Sequence, residues 1–133
     1  MRSTQLIVAA AVFSLAACGT VTSPDGGSGG GGGGGGPVGQ VTVANNFFRS
    51  AHNGSQNAAV DTIAAGSTVT WSWNAAGSHS IQSTGLPPEV FRNSVVMAGA
   101  NSTYSVTFRT AGTYPYQCQV HGAAMTGRIV VLP

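Results

Sequence analysis

The sequence contains no lysine, and only 6% of its residues are charged. The basic residues are Arg2, Arg49, Arg92, Arg109 and Arg128, and the acids are Asp25, Asp61 and Glu89. Nucleic-acid binding draws on clustered lysine and arginine, and steering through a charged face draws on a patch of one sign; both are absent. No apolar run reaches the about 20 residues that a membrane-spanning helix needs. No segment shows the 3.6-residue periodicity of an amphipathic helix. Cysteine is limited to Cys18 and Cys118. A disulfide between them is one reading for an exported chain, but Cys18 falls inside a leader-like segment, which argues against their meeting.

What is present begins with that leader. Arg2 gives a short basic start, and Leu6 to Ala17 is apolar apart from Ser14, the length of a signal-peptide core. Leu15-Ala16-Ala17-Cys18 resembles the lipobox of bacterial lipoproteins. The resemblance implies cleavage before Cys18, lipidation of its sulfur and amine, and anchoring by several acyl chains. An ordinary secretory cleavage with Cys18 as a bystander is the alternative. The expected organisation is a lipoprotein signal peptide over 1–17, a lipidated Cys18 and flexible linker over 18–39, and one domain over 40–133. The linker holds an unbroken glycine run from Gly29 to Gly36, which cannot bury apolar surface. A tether of this kind spans roughly 25 Å root-mean-square. It would let the domain sweep the membrane surface or hold it clear of the bilayer.

Within 40–133 the hydrophobic pattern has a period of two. Val41 and Val43 alternate with polar neighbours, as do Val69, Trp71 and Trp73, then Tyr104, Val106 and Phe108, and finally Ile129 and Val131. Asn53-Gly54, Ala65-Gly66, Asn74 to Gly77, Leu86-Pro87-Pro88 and Ala111-Gly112 punctuate these runs. Short alternating strands separated by turn signals specify an all-β sandwich or barrel. Residues 49–59 are expected to form a long polar loop with room for a helical turn.

The stretch Tyr114-Pro-Tyr-Gln-Cys118-Gln-Val-His121-Gly-Ala-Ala-Met125 carries the chemistry. A strand delivers a thiol at its end, and a short loop then presents an imidazole and a thioether. Thiolate and thioether are soft donors suited to Cu(I), and imidazole serves both copper oxidation states. The remaining ligand is a second histidine. His79, in Ala76-Gly-Ser-His79-Ser, follows the Val69–Trp73 strand and its turn, which would place it at a neighbouring strand end. His52 lies in the polar loop Ser50-Ala-His-Asn-Gly and reads as solvent-exposed. Zinc is the chemical rival, but thioether is a poor zinc donor. Met97, on the Val95-Val96-Met97 run, reads as core or lid.

Residues 40–133 resemble a small cupredoxin of the plastocyanin and azurin kind. The resemblance is carried in order by Gly66-Ser-Thr-Val-Thr-Trp71, Gly77-Ser-His79-Ser, Gly112-Thr-Tyr-Pro-Tyr-Gln-Cys118, His121, Met125 and Gly127. It implies a Greek-key β-sandwich with one Cu(I)/Cu(II) ion near one end. His79, Cys118 and His121 would be in-plane ligands and Met125 the axial one, with Tyr114 or Tyr116 as the corner tyrosine. Two positions depart from the family pattern. Val120 stands where many members have proline, so its N–H is free to bond the Cys118 sulfur and raise the potential. Ser80 stands where asparagine is common, a shorter donor for linking the two ligand loops.

The expected function is one-electron transfer in the cell envelope, without catalysis. Only three histidines exist, too few for a trinuclear oxidase cluster, and no nucleophile elbow accompanies the acids Asp61 and Glu89. Electrons would pass through His121 within a docking patch of Leu86, Pro87, Gly122, Ala123 and Ala124. The partners would be redox proteins, met by a monomer whose only membrane contact is its lipid anchor. Copper delivery or buffering outside the cytoplasm would use the same residues. A metal-free adhesive sandwich is the remaining alternative.

Overall fold

The computed structural model describes residues 36–133. The signal segment, Cys18 and the glycine run up to residue 35 lie outside the described residues. Ten strands follow: β1 (Gln40–Ala44), β2 (Phe47–Ser50), β3 (Ala59–Ala64), β4 (Thr68–Trp73), β5 (Ser78–His79), β6 (Gln82–Ser83), β7 (Met97–Ala98), β8 (Thr103–Thr107), β9 (Gly112–Cys118) and β10 (Gly122–Leu132). One four-stranded sheet runs β2-β1-β4-β8, the other β3-β10-β9-β6, and β5 pairs with β7. Parallel pairing of β1 with β4 and of β3 with β10 requires the chain to cross between sheets. The chain is therefore an all-β sandwich.

Alternation explains the two faces. Val69, Trp71 and Trp73 of β4 are buried, as are Tyr114, Tyr116 and Cys118 of β9 and Ile129 and Val131 of β10. Each large apolar side chain removed from water contributes about 1.5–3 kcal/mol. The opposite face of β4 is polar: Thr68 and Thr70 share hydroxyl hydrogen bonds with Thr107 and Ser105 of β8 at 2.7 and 2.9 Å. β8 is an edge strand, so Tyr104 and Val106 are half-buried rather than fully enclosed. Phe91, from the long segment between β6 and β7, stacks on Trp71 with ring centroids 5.9 Å apart and closes the core on that side.

The ends of two strands reach into the 49–59 stretch that the sequence suggests is a loop. Arg49 and Ser50 belong to β2 and Ala59 opens β3, so only 51–58 connects them, without a helical turn. Polar residues at core positions conceal the alternation. On β3 the inward residues are Ala59, Asp61 and Ile63. The buried Asp61 carboxylate is tied by Oδ2, which accepts the Gly39 N–H at 3.1 Å and the Ser50 hydroxyl at 3.3 Å. This links the start of β1 and the end of β2 to the opposite sheet. His52 is exposed, and its Nδ1 lies 3.0 Å from the Gly36 carbonyl oxygen.

Candidate metal centre

Three segments converge at one end of the sandwich. Cys118 is the last residue of β9 and is fully buried. The chain then turns over 119–121, held by the His121 N–H donating to the Cys118 carbonyl at 3.3 Å. Gly122 continues at φ 55°, a left-handed conformation costly for residues with a Cβ. Register explains the spacing that follows. Gly122 pairs with Cys118, yet Thr126 already pairs with Gln117. β10 advances four residues while β9 moves one, so Ala123, Ala124 and Met125 bulge without partners. A bulge re-aims side chains, and here Met125 is completely enclosed while Ala123 and Ala124 remain exposed. Met125 thus lies within the irregular start of β10 rather than in a separate loop.

His79 comes from β5, paired through the Met97 position of β7. Its ring is buried, and a Cβ at Gly77 would stand 3.1 Å from its Nε2. The glycine therefore leaves space for the imidazole edge. Met97 packs against the core, in keeping with a filler or lid. Ser80, also buried, accepts the Gln119 N–H on Oγ at 3.1 Å. This joins the His79 segment to the 119–121 turn. Ser80 serves as acceptor, not as the donor expected from sequence.

Both imidazoles turn Nδ1 toward the cysteine: Cys118 Sγ is 3.4 Å from His121 Nδ1 and 3.9 Å from His79 Nδ1. The ligating atoms of His79, Cys118 and His121 all lie within 4.8 Å of one another. Donors about 2.0–2.3 Å from a shared first-row ion sit about 3.5–4 Å apart in a trigonal arrangement, so the donor set fits one metal. Burial, and then the neighbouring His121, hold His79 below the ordinary histidine range. It therefore presents a neutral lone pair. His79 Nε2 is buried without a hydrogen-bond partner. His121 is half-buried, which leaves it the more accessible of the two rings.

Two sequence expectations change here, and a third is narrowed. The polar neighbours of Cys118 Sγ are the Nδ1 atoms of the two histidines, and the Val120 N–H is not among them. Val120 sits on the outer part of the turn with 51% of its surface exposed. Leu86 and Pro87 are exposed, but register carries them away from Cys118. Gln82 and Ser83 pair with Gln117 and Tyr116, the Thr84 N–H donates to Pro115, and Glu89 lies against Gly112 at the other end of β9. The exposed apolar residues brought near His79 are instead Val95 and Val96, 74% and 49% exposed, next to Met97. The corner tyrosine is Tyr114, whose hydroxyl donates to the Thr110 carbonyl at 2.8 Å. The Tyr116 hydroxyl is buried without a partner, and burial raises its pKa far above the ordinary phenol value.

Comparison with known proteins agrees with this architecture. The family model for copper binding proteins of the plastocyanin/azurin family matches residues 55–132. The chain is 41% identical over 85 residues to a plastocyanin of Scenedesmus fuscus, spanning 53% of this chain and 79% of that protein. It is 39% identical over 69 residues to amicyanin-alpha of Methylorubrum extorquens, spanning 52% of this chain and 57% of that one. An oxidized amicyanin with a methionine-to-leucine substitution superposes with a TM-score of 0.55 at 28% identity, covering 70% of this chain and 80% of the other. A purple cupredoxin from Nitrosopumilus maritimus shares the fold with a TM-score of 0.55 at 23% identity, covering 70% and 98%. The chain belongs to the copper-binding plastocyanin/azurin family, a small type 1 cupredoxin whose cofactor is one copper ion.

Proposed function

We propose that His79, Cys118, His121 and Met125 hold the copper ion and that the protein carries single electrons between partner proteins in the cell envelope. The observation that carries this reading is the convergence of both Nδ1 atoms on the buried Cys118 sulfur. Bound copper would supply one-electron cycling between Cu(I) and Cu(II), which a His₂Cys set with a weak thioether supports. The fully buried Met125 completes a donor set that zinc would not favour.

The chain's own residues keep the site still. β9 is paired on both sides, the Ser80–Gln119 hydrogen bond ties the ligand segments, and the His121 N–H closes the turn on Cys118. A held geometry lowers the structural change that accompanies each electron. Half-buried His121 is the exit route, flanked by Val120, Ala123 and Ala124. Val95 and Val96 extend the apolar rim beside His79. Near-neutral, small-residue surfaces suit brief contacts of modest area.

Location in the envelope, through lipid on Cys18 and the glycine tether, is supported by the Leu15-Ala16-Ala17-Cys18 sequence. Metabolic labelling with a fatty acid tests it: label should enter the wild type and be absent from Cys18→Ser. The electron-carrier role is tested by electron self-exchange between the Cu(I) and Cu(II) forms. Rapid exchange without copper loss is expected. Slow exchange, with copper passing readily to a competing apo-protein, would replace the carrier reading with copper delivery.

A further inference from the structure

The exposed large apolar side chains among the described residues fall at two ends of the sandwich. Val95, Val96 and Val120 lie at the copper end. Val38, Leu86, Val90 and Leu132, which are 53%, 79%, 44% and 50% exposed, lie at the other. Register defines that second end. Val131 pairs with both Ile63 and Gly112, so Leu132 stands at the end of β10 opposite Ala64. A Cβ on Gly39 would touch the Thr68 carbonyl oxygen and the Ile63 side chain, which sets Val38 at the same level. Glu89 lies against Gly112 and carries Leu86, Pro87 and Val90 there. Gly112 and Cys118 bound opposite ends of β9, about 20 Å apart at the usual rise of a strand.

The chain enters the domain at this same end. The Gly36 N–H donates to the Ala51 carbonyl at 3.1 Å, and the Ala51 N–H donates to the Gln40 carbonyl at 2.8 Å. Ala51 follows Ser50, which pairs with Val41 at the start of β1. The segment that leads back to Cys18 therefore joins the domain at the end remote from copper. That end carries little charge. Its ionic groups are Arg109, exposed just after Phe108, and Glu89, half-buried against Gly112. Anionic headgroups would meet no acidic cluster there, and Arg109 is free to pair with a lipid phosphate.

Grouped apolar side chains left in water mark a contact surface, and the entry point of the chain says which surface it meets. We propose that the end carrying Val38, Leu86, Pro87, Val90 and Leu132 rests on the lipid bilayer, with Leu86 and Pro87 entering the headgroup region. The inference rests on the lipid-anchor reading and extends it: the acyl chains on Cys18 are joined by a second, protein-borne membrane contact. A leash spanning roughly 25 Å keeps this end within reach of the bilayer, so a weak contact suffices to orient the domain. Membrane affinity of such a surface follows the apolar area it buries. The copper end, with His121, then points away from the membrane toward its partners.

The test uses the Cu(I)-loaded protein isolated from membranes, with acylation of Cys18 checked by mass spectrometry. It is placed in nanodiscs of phosphatidylethanolamine and phosphatidylglycerol that carry a nitroxide on a fraction of the headgroups. Paramagnetic broadening of amide signals should be strongest at residues 38, 65–66, 86–90 and 109–111, and weak at 79–80, 95–96 and 118–125. Leu86→Ser should lower the ratio of docked to free domain about fivefold to tenfold, the change for partial burial of one leucine. It should keep the copper spectrum of the wild type. Even broadening at both ends of an acylated protein, or unchanged broadening in Leu86→Ser, would overturn the docking and leave the anchor standing. Shifts at this end that grow with protein concentration in nitroxide-free discs would assign it to a second copy instead. An unacylated protein would overturn the anchor and the docking together.

Discussion

Gly127→Ala should destabilise the protein although replacing glycine by alanine inside a strand is ordinarily favourable. Gly127 lies in β10 directly opposite Tyr116 of β9, with a backbone that any residue can adopt. An ordinary Gly→Ala change in a strand gains about 0.5–1 kcal/mol. Here the added Cβ would fall well inside van der Waals contact with Cζ and Oη of Tyr116 and 2.8 Å from Cε2. Carbon contacts settle near 3.5–4.0 Å, so the ring must retreat by about 1 Å. It has little room: Tyr116 is 1% exposed and meets Phe48 and Trp71 edge-on at 5.0 and 5.4 Å. Overpacking of this kind costs about 1–3 kcal/mol. For a domain of this size that is a fall in Tm of about 5–20 °C. Tyr116 precedes Cys118 by two residues on the same face of β9, so the displaced ring also pulls on the thiolate. Thermal unfolding should be followed on the apo form and at fixed copper excess, because ligand binding adds its own stabilisation. An alanine variant as stable as the wild type in both states would refute the packing account.

Other perturbations test separate parts of the structure. The buried Tyr116 hydroxyl faces the Trp71 indole N–H without a well-formed hydrogen bond, so Tyr116→Phe should change stability by no more than about 1 kcal/mol, measured by denaturant unfolding. Ser80→Ala leaves the Gln119 N–H without its acceptor. It should cost about 1 kcal/mol and speed copper release to a chelator, with a wild-type release rate arguing against the tie. Asp61 has its carboxyl pushed up by burial, against the pull of Gly39, Ser50 and His52. Its contribution to stability is therefore full below the ordinary carboxylate range and declines as pH rises through the elevated folded value. The Tm of apo Asp61→Asn relative to wild type should consequently improve between about pH 4 and pH 7, and a pH-independent difference would contradict that sign.

Much of this architecture can be read from residue order, for physical reasons. β4 alternates Val69, Trp71 and Trp73 with small polar residues, so its inward face can be read directly. Cys118, His121 and Met125 are close in sequence, and a turn plus a three-residue bulge suffices to gather them. His79 could be placed at a strand end because a turn precedes it. What escapes sequence is set by distant pairing. β2 and β3 are masked because Ser50 and Asp61 occupy core positions usually held by apolar side chains, and their hydrogen bonds to each other and to Gly39 cannot be inferred locally. The two-residue β5 and β7 exist only through the pairing of Ser78 and His79 with Ala98 and Met97. The same non-local register sends Leu86 and Pro87 toward the Gly112 end and brings Val95 and Val96 beside the His79 strand. Ser80 was legible as a link, but whether it donates or accepts depends on which backbone group faces it.

The most direct test of the metal centre is titration of the reduced, metal-free protein with Cu(II) under anaerobic conditions, read by visible absorption and electron paramagnetic resonance. One equivalent should produce an intense thiolate-to-copper charge-transfer band with a type 1 resonance, and Cys118→Ser should lose both. A reduced wild-type thiol that gives no such band, or a Cys118→Ser variant with the same spectrum as wild type, would contradict copper held by His79, Cys118, His121 and Met125.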